Sequence, residues 1–159
     1  MKNLDKIKTY SDDAFIDKRG IYWTSWKKNR YKIFFNHDKF SLSKKNVLRG
    51  LHGDKKSWKL ISCVYGKIFF VIVNNISKSK DYQKYMTKVL SPKNRLQILI
   101  PPNFLTGHLV LSKEAVLHYK FSYKGSYPDV EDQISRKWND SKIKINWPIT
   151  KPILSRRDK

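Results

Sequence analysis

The residues best suited to chemistry lie together in the segment NVLRGLHGDKKSWKL. Arg49 and His52 are three positions apart with Gly50 between them, and Lys59 follows in the next apolar stretch. An imidazole can transfer protons near neutral pH, the two cations can hold an anionic group, and the glycine lets a ligand approach closely. In an extended strand Arg49 and Leu51 share one face and His52 lies on the other. By spacing alone, a surface strand edge with ordinary charges is the stronger interpretation.

Tyr119 and the histidines are the other candidates for chemistry. Alternation along AVLHYKFSY turns one of His118 and Tyr119 inward, and an inward tyrosine is usually a core residue unless a base faces it. The four histidines include no His-X-His pair, and Cys63 is the only cysteine. These counts exclude a zinc site built on several cysteines and disfavour any other metal centre. We therefore expect no bound metal.

Short β-rich segments separated by turn residues position these side chains. Aromatic and β-branched residues dominate the segments, and no stretch shows a long helical period. The predicted strands are 20–26, 31–38, 46–53, 58–75, 84–90, 95–101, 107–112 and 115–123, with a further short one in IKINWP. Gly66 divides the fourth of these into a hairpin-like pair, and Pro101-Pro102 is a strong break. The spacing predicts one all-β domain over residues 1–159, a sandwich or a barrel.

The charge balance is strongly basic: 34 Lys and Arg against 13 Asp and Glu give the 159-residue chain a formal net charge of +21. Such a charge can indicate nucleic-acid binding, because Lys and Arg on phosphates release counterions. The basic residues are, however, spread along the whole chain instead of forming one tail or one helical stripe. We therefore favour solvated surface lysines, with no specific nucleic-acid partner.

The composition also bears on the compartment. Five Trp, nine Tyr and eight Phe are typical of a folded protein and unlike a disordered basic tail. No apolar stretch approaches the roughly 20 residues that span a bilayer, and the N-terminal MKNLDKIKTYSDD lacks the apolar centre of a secretory signal. A single cysteine fits a reducing environment. These features predict a cytoplasmic protein with no membrane association.

Several motifs follow one another along the chain: NVLRGLH, WKL, CVYG, ILIPPNFLTGHLVLS, EAVLHYK, WNDSKIKINWP and PILSRRD. This succession resembles the dTDP-4-dehydrorhamnose 3,5-epimerase family of nucleotide-sugar epimerases, from DKRGIYW at 17–23 to Asp158. The resemblance implies a cupin-like β jelly roll that is a homodimer and uses no metal or cofactor. It also implies epimerisation at C3, with C5 as a second candidate centre, of a nucleotide-linked 4-keto-6-deoxy sugar.

Matching positions imply an acid–base set. His52 corresponds to the general base, Asp158 to the carboxylate that pairs with it, and Tyr119 to the general acid on the opposite face. Lys59 corresponds to the lysine near the C4 oxygen of the sugar. A C–H beside a ketone is weakly acidic, so its removal needs a base of near-neutral pKa and positive charge at the enolate oxygen. Asp158 is one residue before Lys159, so its role requires PILSRRD to fold back over the pocket.

Other positions imply substrate contacts or depart from the family pattern. The resemblance implies substrate binding by Arg19, Arg49, Thr24, Asp38 and His108, with Arg19 near the diphosphate. Thr24 stands where the family has a Glu that contacts the thymine base. Thr106 replaces the family's second His, with His108 two places on, and Phe70 replaces an expected acidic residue. Together with RGIYWT, FNHDKF, RGLHGD, CVYG and SKEAV, this pattern favours the branch that acts on GDP-linked 6-deoxy-4-keto-heptoses in capsule pathways, so the nucleotide is GDP or dTDP.

Two alternatives of different kinds stay open beside the epimerase. A sugar ketoisomerase on the same scaffold would move the keto group instead of inverting a carbon. A basic nucleic-acid-binding β domain would bind in a salt-sensitive way without catalysis. Arg19, Arg49 and His52 coincide with a sugar-nucleotide motif and not with a stripe of alternating aromatic and basic residues, which favours the enzyme.

Overall fold

The computed structural model describes residues 3–11 and 13–159. Within these residues the regular structure consists of twelve strands and three short 3-10 helices. The strands are β1 Lys8–Ser11, β2 Ala14–Asp17, β3 Gly20–Trp23, β4 His37–Lys44, β5 Leu48–Gly53, β6 Trp58–Tyr65, β7 Ile68–Asn74, β8 Tyr85–Leu90, β9 Leu96–Ile100, β10 Phe104–Val110, β11 Glu114–Ser122 and β12 Ile134–Ser135. The 3-10 helices are Leu4–Lys6, Val130–Asp132 and Arg156–Asp158. The all-β prediction is confirmed. None of the helices in this part of the chain is long and apolar enough to cross a membrane.

Two five-stranded antiparallel sheets form the body of the fold. The first sheet has the order β1-β9-β6-β11-β4 and the second the order β12-β5-β10-β7-β8, while β2 and β3 form a separate hairpin. At Gly66 the chain passes from the first sheet into the second. A Cβ at Gly66 would lie 2.0 Å from the main-chain oxygen of Glu114, so the turn is too close to β11 for a larger residue. The predicted hairpin-like pair in 58–75 is therefore wrong, because its two halves lie in different sheets.

Apolar side chains of the two sheets meet in the interior. Ile61 and Leu117 of the first sheet belong to the same buried cluster as Phe70, Ile72 and Phe104 of the second. Burial of this kind contributes about 25 cal/mol for each Å² of apolar surface removed from water and holds the sheets face to face. Because the sheets are held apart by these side chains, polar residues at one end of the interior can line a cavity between them.

The C-terminal segment covers the outer face of the second sheet. Ile143 and Trp147 pack there against Leu48, Leu51 and Leu105. The indole nitrogen of Trp147 also donates a hydrogen bond to a main-chain oxygen 2.8 Å away. The predicted strand in IKINWP is wrong, because its apolar residues pack on a sheet instead of pairing with one.

A loop covers the outer face of the first sheet in a similar way. Tyr31 is buried there, with its ring edge-on to Tyr10 at 4.8 Å and to Phe35 at 5.8 Å between centroids. The predicted strand 31–38 is therefore wrong over most of its length, and β4 begins only at His37. The sequence patterns do not predict β1, β2 or β12.

Candidate active site

A cavity of about 300 Å³ opens between the two sheets. Arg49, His52 and His108 line it from the second sheet, and Lys59 and Tyr119 line it from the first. These are residues that the motif analysis predicted to act together. The strand pairing explains their convergence, since Thr106 and His108 of β10 lie beside His52 and Arg49 of β5.

β5 and β10 approach each other closely beside the cavity. The φ angle of Gly50 is +121°, and a Cβ there would lie 2.6 Å from the Cα of Gly107. The register between the two strands shifts at this point. As a result Arg49 and His52 both line the cavity, while Leu51 is buried beneath the C-terminal segment. The predicted alternation, with His52 facing away from Arg49, is wrong because of this irregularity.

His52 is held at both ring nitrogens. Its Nε2 lies 2.6 Å from Oδ1 of Asp158, and its Nδ1 lies 3.0 Å from Oγ of Ser135. The guanidinium of Arg157 donates to the same Ser135 oxygen, which leaves the hydroxyl hydrogen of Ser135 for His52. Because an ionised carboxylate can only accept, Nε2 carries the proton and Nδ1 carries the lone pair.

Asp158 is buried and fully hydrogen-bonded. The Ser155 hydroxyl donates to its Oδ2 at 2.7 Å, and the Gly50 N–H donates to its Oδ1 at 3.3 Å. Burial would raise the pKa of Asp158, but the hydrogen bonds from His52 and Ser155 outweigh it and hold the pKa below its ordinary value. Ile153 anchors the segment through a parallel bridge to the residue before β5. PILSRRD thus folds back behind the cavity, as the role predicted for Asp158 requires.

Lys59 and Tyr119 present a cation and a phenol on the opposite side of the cavity. The Lys59 Nζ lies 3.3 Å from Oδ2 of Asp54; burial lowers the pKa of Lys59, and Asp54 opposes that change. Burial raises the pKa of the Tyr119 phenol, although the Ser41 hydroxyl and the Arg49 charge counteract part of the rise. The phenol is therefore protonated at neutral pH and available as a proton donor.

His108 is 2% exposed, and its Nε2 has no hydrogen-bond partner among the described residues. Burial and then the charge of Arg49 lower the pKa of His108 to about 3, with Asp158 acting in the opposite direction. The ring is therefore neutral at physiological pH and can hydrogen-bond an uncharged group of a ligand. Over residues 3–11 and 13–159, no three side chains of metal-binding type come together.

Three predicted substrate-binding residues do not line this cavity. Arg19 lies in the turn between β2 and β3, where its side chain is 80% exposed and pairs with Asp17 at 2.6 Å. Thr24 follows β3 and lines a separate surface depression. Asp38 on β4 pairs with Lys120 at 2.8 Å. The contacts predicted for Arg19, Thr24 and Asp38 thus stay predictions.

The arrangement has relatives among known proteins. A protein-family model described as dTDP-4-dehydrorhamnose 3,5-epimerase matches residues 2–159. The chain belongs to this family. A dTDP-4-dehydrorhamnose 3,5-epimerase of Escherichia coli (strain K12) is 35% identical to this chain. The alignment, 172 positions long, covers 98% of this chain and 91% of the relative. The prediction of a nucleotide-sugar epimerase is confirmed.

Solved structures of epimerases share the fold. The enzyme from Legionella pneumophila Philadelphia 1, in complex with dTDP-4-keto-L-rhamnose, has a TM-score of 0.90 and 31% identity over 99% of this chain and 87% of its own. The enzyme from Bacillus anthracis str. Ames, with TDP and PPi bound, has a TM-score of 0.90 and 30% identity over 99% of this chain and 94% of its own. The predicted cupin-like jelly roll is confirmed.

The motif analysis does not single out Asp54, which pairs with Lys59, or Ser135, which contacts His52. Asp54 carries a signal that could have identified it, because it is an acid placed between His52 and Lys59 in RGLHGDKKSWK. Ser135 carries none. It belongs to the two-residue strand β12, and only the pairing of this strand with β5 brings it opposite His52.

Proposed function

We propose that this epimerase inverts C3, and C5 as a second centre, of a nucleotide-diphosphate-linked 4-keto-6-deoxy sugar through an enolate. The observation that carries the proposal is the placement of His52 and Tyr119 on opposite walls of one cavity. Inversion requires a proton to leave one face of a carbon and another to arrive at the opposite face. A base and an acid on facing walls meet that requirement.

In the first half of the reaction the bound substrate takes the place of the Ser135 hydroxyl at Nδ1 of His52, and this nitrogen then removes the proton beside the ketone. The electron pair of the C–H bond becomes the C=C bond of the enolate, and negative charge develops on O4. Lys59 and Arg49 lie in the same cavity and supply positive charge for this oxygen. Asp158 stabilises the imidazolium that forms.

In the second half the Tyr119 hydroxyl delivers its proton to the same carbon from the other face. The phenolate then regains a proton and the His52 imidazolium loses one, both by exchange with water, so the enzyme returns to its starting state. We assign the unpartnered Nε2 of His108 to an uncharged oxygen of the sugar. A buried polar atom of this kind gains most from a ligand that completes its hydrogen bond.

For the nucleotide two predictions stand side by side. The names of the relatives and the ligands of the two structures above support dTDP. Thr24 and the pattern RGLHGD support GDP linked to a heptose, in a capsule or other surface-polysaccharide pathway. The cytoplasmic location likewise stays a prediction, supported by the single buried Cys63.

We further propose that the enzyme is a homodimer. The β2–β3 hairpin exposes 62% of Phe15 and 74% of Tyr22, and the edge strand β4 exposes 65% of Phe40. A second copy of the chain would cover such apolar surface. Arg19 does not line the cavity of its own chain, so we assign its predicted diphosphate contact to the cavity of the second copy. Light scattering on the protein as it elutes from a size-exclusion column should give twice the mass of one chain.

The experiment that tests the activity is proton exchange in deuterated water, with dTDP- and GDP-linked 4-keto sugars as parallel substrates. Wild-type protein should incorporate one deuteron for each carbon it deprotonates, and the faster substrate identifies the nucleotide. His52→Asn should abolish incorporation while the fold is retained. Unchanged exchange in His52→Asn would refute the assignment of the base, and a product with a transposed keto group would identify a ketoisomerase.

A further inference from the structure

Asp54 and Lys59 form a buried ion pair at the wall of the cavity. The Lys59 Nζ and the Asp54 Oδ2 are 3.3 Å apart, and the two side chains are 10% and 4% exposed. Lys59 belongs to β6 in the first sheet, whereas Asp54 directly follows β5 in the second. The pair therefore connects the two sheets at the position where the proposed enolate forms.

The carboxylate of Asp54 divides its two oxygens between two tasks. Oδ1 accepts hydrogen bonds from the N–H groups of Lys56 at 2.8 Å and Ser57 at 2.5 Å. These bonds fix the loop between β5 and β6 and the orientation of the carboxylate. Oδ2 is left to face Lys59. An asparagine at this position could keep the first task and lose the charge required for the second.

Asp54 is the only acidic residue among the described residues that line the cavity. The titratable groups that share this lining with Lys59 are otherwise cationic, aromatic or imidazole: Lys39, Arg49, His52, His108, Tyr119 and Tyr127. Phe70 on β7 adds an apolar wall. A buried ammonium among such neighbours loses its proton more easily than one in water, and Asp54 supplies the negative charge that opposes this loss.

We propose that Asp54 is a positioning residue of the epimerase, which holds Lys59 as an oriented cation for the ketone oxygen of the substrate. The proposal rests on the function proposed above, because it uses the enolate as the group that Lys59 stabilises. A fixed cation already in place when charge develops on the oxygen needs no reorganisation during the reaction. Asp54 achieves this without contacting the substrate itself.

Asp54→Asn tests the proposal, with kcat and KM measured across the pH range and the acylation of the Lys59 amine followed by mass spectrometry. We expect kcat to fall by about 10- to 100-fold, the scale of a misplaced catalytic group, with a much smaller change in KM. We also expect the alkaline limb of the kcat profile, and the onset of Lys59 acylation, to move to lower pH. Asp54→Glu keeps the charge and should keep both near their wild-type positions.

Asp140→Asn is the matched control. Oδ1 of Asp140 accepts the N–H of Lys142 at 2.8 Å, and Oδ2 faces Arg136 at 3.8 Å, away from the cavity. This variant should keep the wild-type kcat profile and acylation. If Asp54→Asn lowers thermal stability but leaves the profile and the acylation of Lys59 unchanged, Asp54 is only structural and the proposal is overturned. Failure of the proposed function would instead appear as absent deuterium exchange in the wild type, whereas the acylation measurement does not depend on activity.

Discussion

His108 should make the protein lose stability in mildly acidic solution. In the folded state its pKa is lowered to about 3, whereas a histidine in the unfolded chain titrates near 6.5. Below about pH 6.5 the unfolded chain thus takes up a proton that the folded protein refuses until about pH 3. The free energy of unfolding contributed by neutral, buried His108 is complete above pH 6.5 and is lost as the pH falls toward 3.

The loss in the free energy of unfolding at a given pH follows from how far that pH lies below the pKa of a histidine in the unfolded chain. One pKa unit corresponds to about 1.4 kcal/mol, so the 1.5 units between pH 6.5 and pH 5 give a loss of about 2 kcal/mol on going from pH 7 to pH 5. Carboxylates with an ordinary pKa of 3.8, such as Asp158, stay ionised in both states over this range. His118 acts in the same direction as His108, because burial lowers its pKa while Asp38 opposes the change.

His108→Phe separates the contribution of His108 from that of the other histidines. Urea unfolding of both proteins, followed by tryptophan fluorescence at pH 7, 6 and 5, gives the free energy of unfolding at each pH. The wild type should lose about 2 kcal/mol more than the variant between pH 7 and pH 5. Equal losses in the two proteins would refute the reasoning, since they would show that His108 accepts a proton in the folded state as readily as in the unfolded chain.

Two further predictions concern the opposite wall of the cavity and the N-terminal segment. Tyr119→Phe should keep deuterium exchange at the face of His52 but lose net inversion, as followed by proton NMR of the sugar; full inversion would show that another group or water is the acid. Asp81→Asn should lower the midpoint of thermal unfolding by several degrees, because the buried Asp81 carboxylate accepts the N–H groups of Asn3 and Leu4 and the side-chain amide of Asn74. An unchanged midpoint would contradict that role.

The strands that could be predicted are those whose own sequence is enough to identify them. β7 and β9 are almost wholly buried, and their mostly apolar sequences identify them as strands. By contrast, the aromatic run that contains Tyr31 and Phe35 has the composition of a strand but packs flat on the outside of a sheet. Composition reports that such residues are buried, not whether their backbone pairs with a neighbour. The same distinction explains why Ile143 and Trp147 do not form a strand.

The residues of the candidate site could be predicted where they belong to a sequence motif. They could not be predicted where only the pairing of distant strands brings them to the site. His52 and Lys59 lie seven positions apart in a segment that resembles the epimerase family, and this resemblance, not their spacing, predicted that they act together. Ser135 reaches His52 from 83 residues away, and no local pattern marks it. Arg19, in contrast, belongs to a recognisable motif but lies outside the cavity of its own chain. A sequence pattern does not say whether a residue acts in its own chain or in a second copy.

The acidic residues near the cavity are placed so that its basic lining still attracts an anion. The cavity lining contains Lys39, Arg49 and Lys59, so it attracts an anionic substrate and favours the proposed enolate. A base that becomes an imidazolium also needs a nearby negative charge, and a carboxylate exposed in the cavity would repel the substrate. Placing Asp158 behind His52, where it is buried and accepts three hydrogen bonds, supplies that charge out of contact with the substrate. Asp54 is the exception within the lining, and its pairing with Lys59 cancels most of the repulsion it would otherwise exert on an anion.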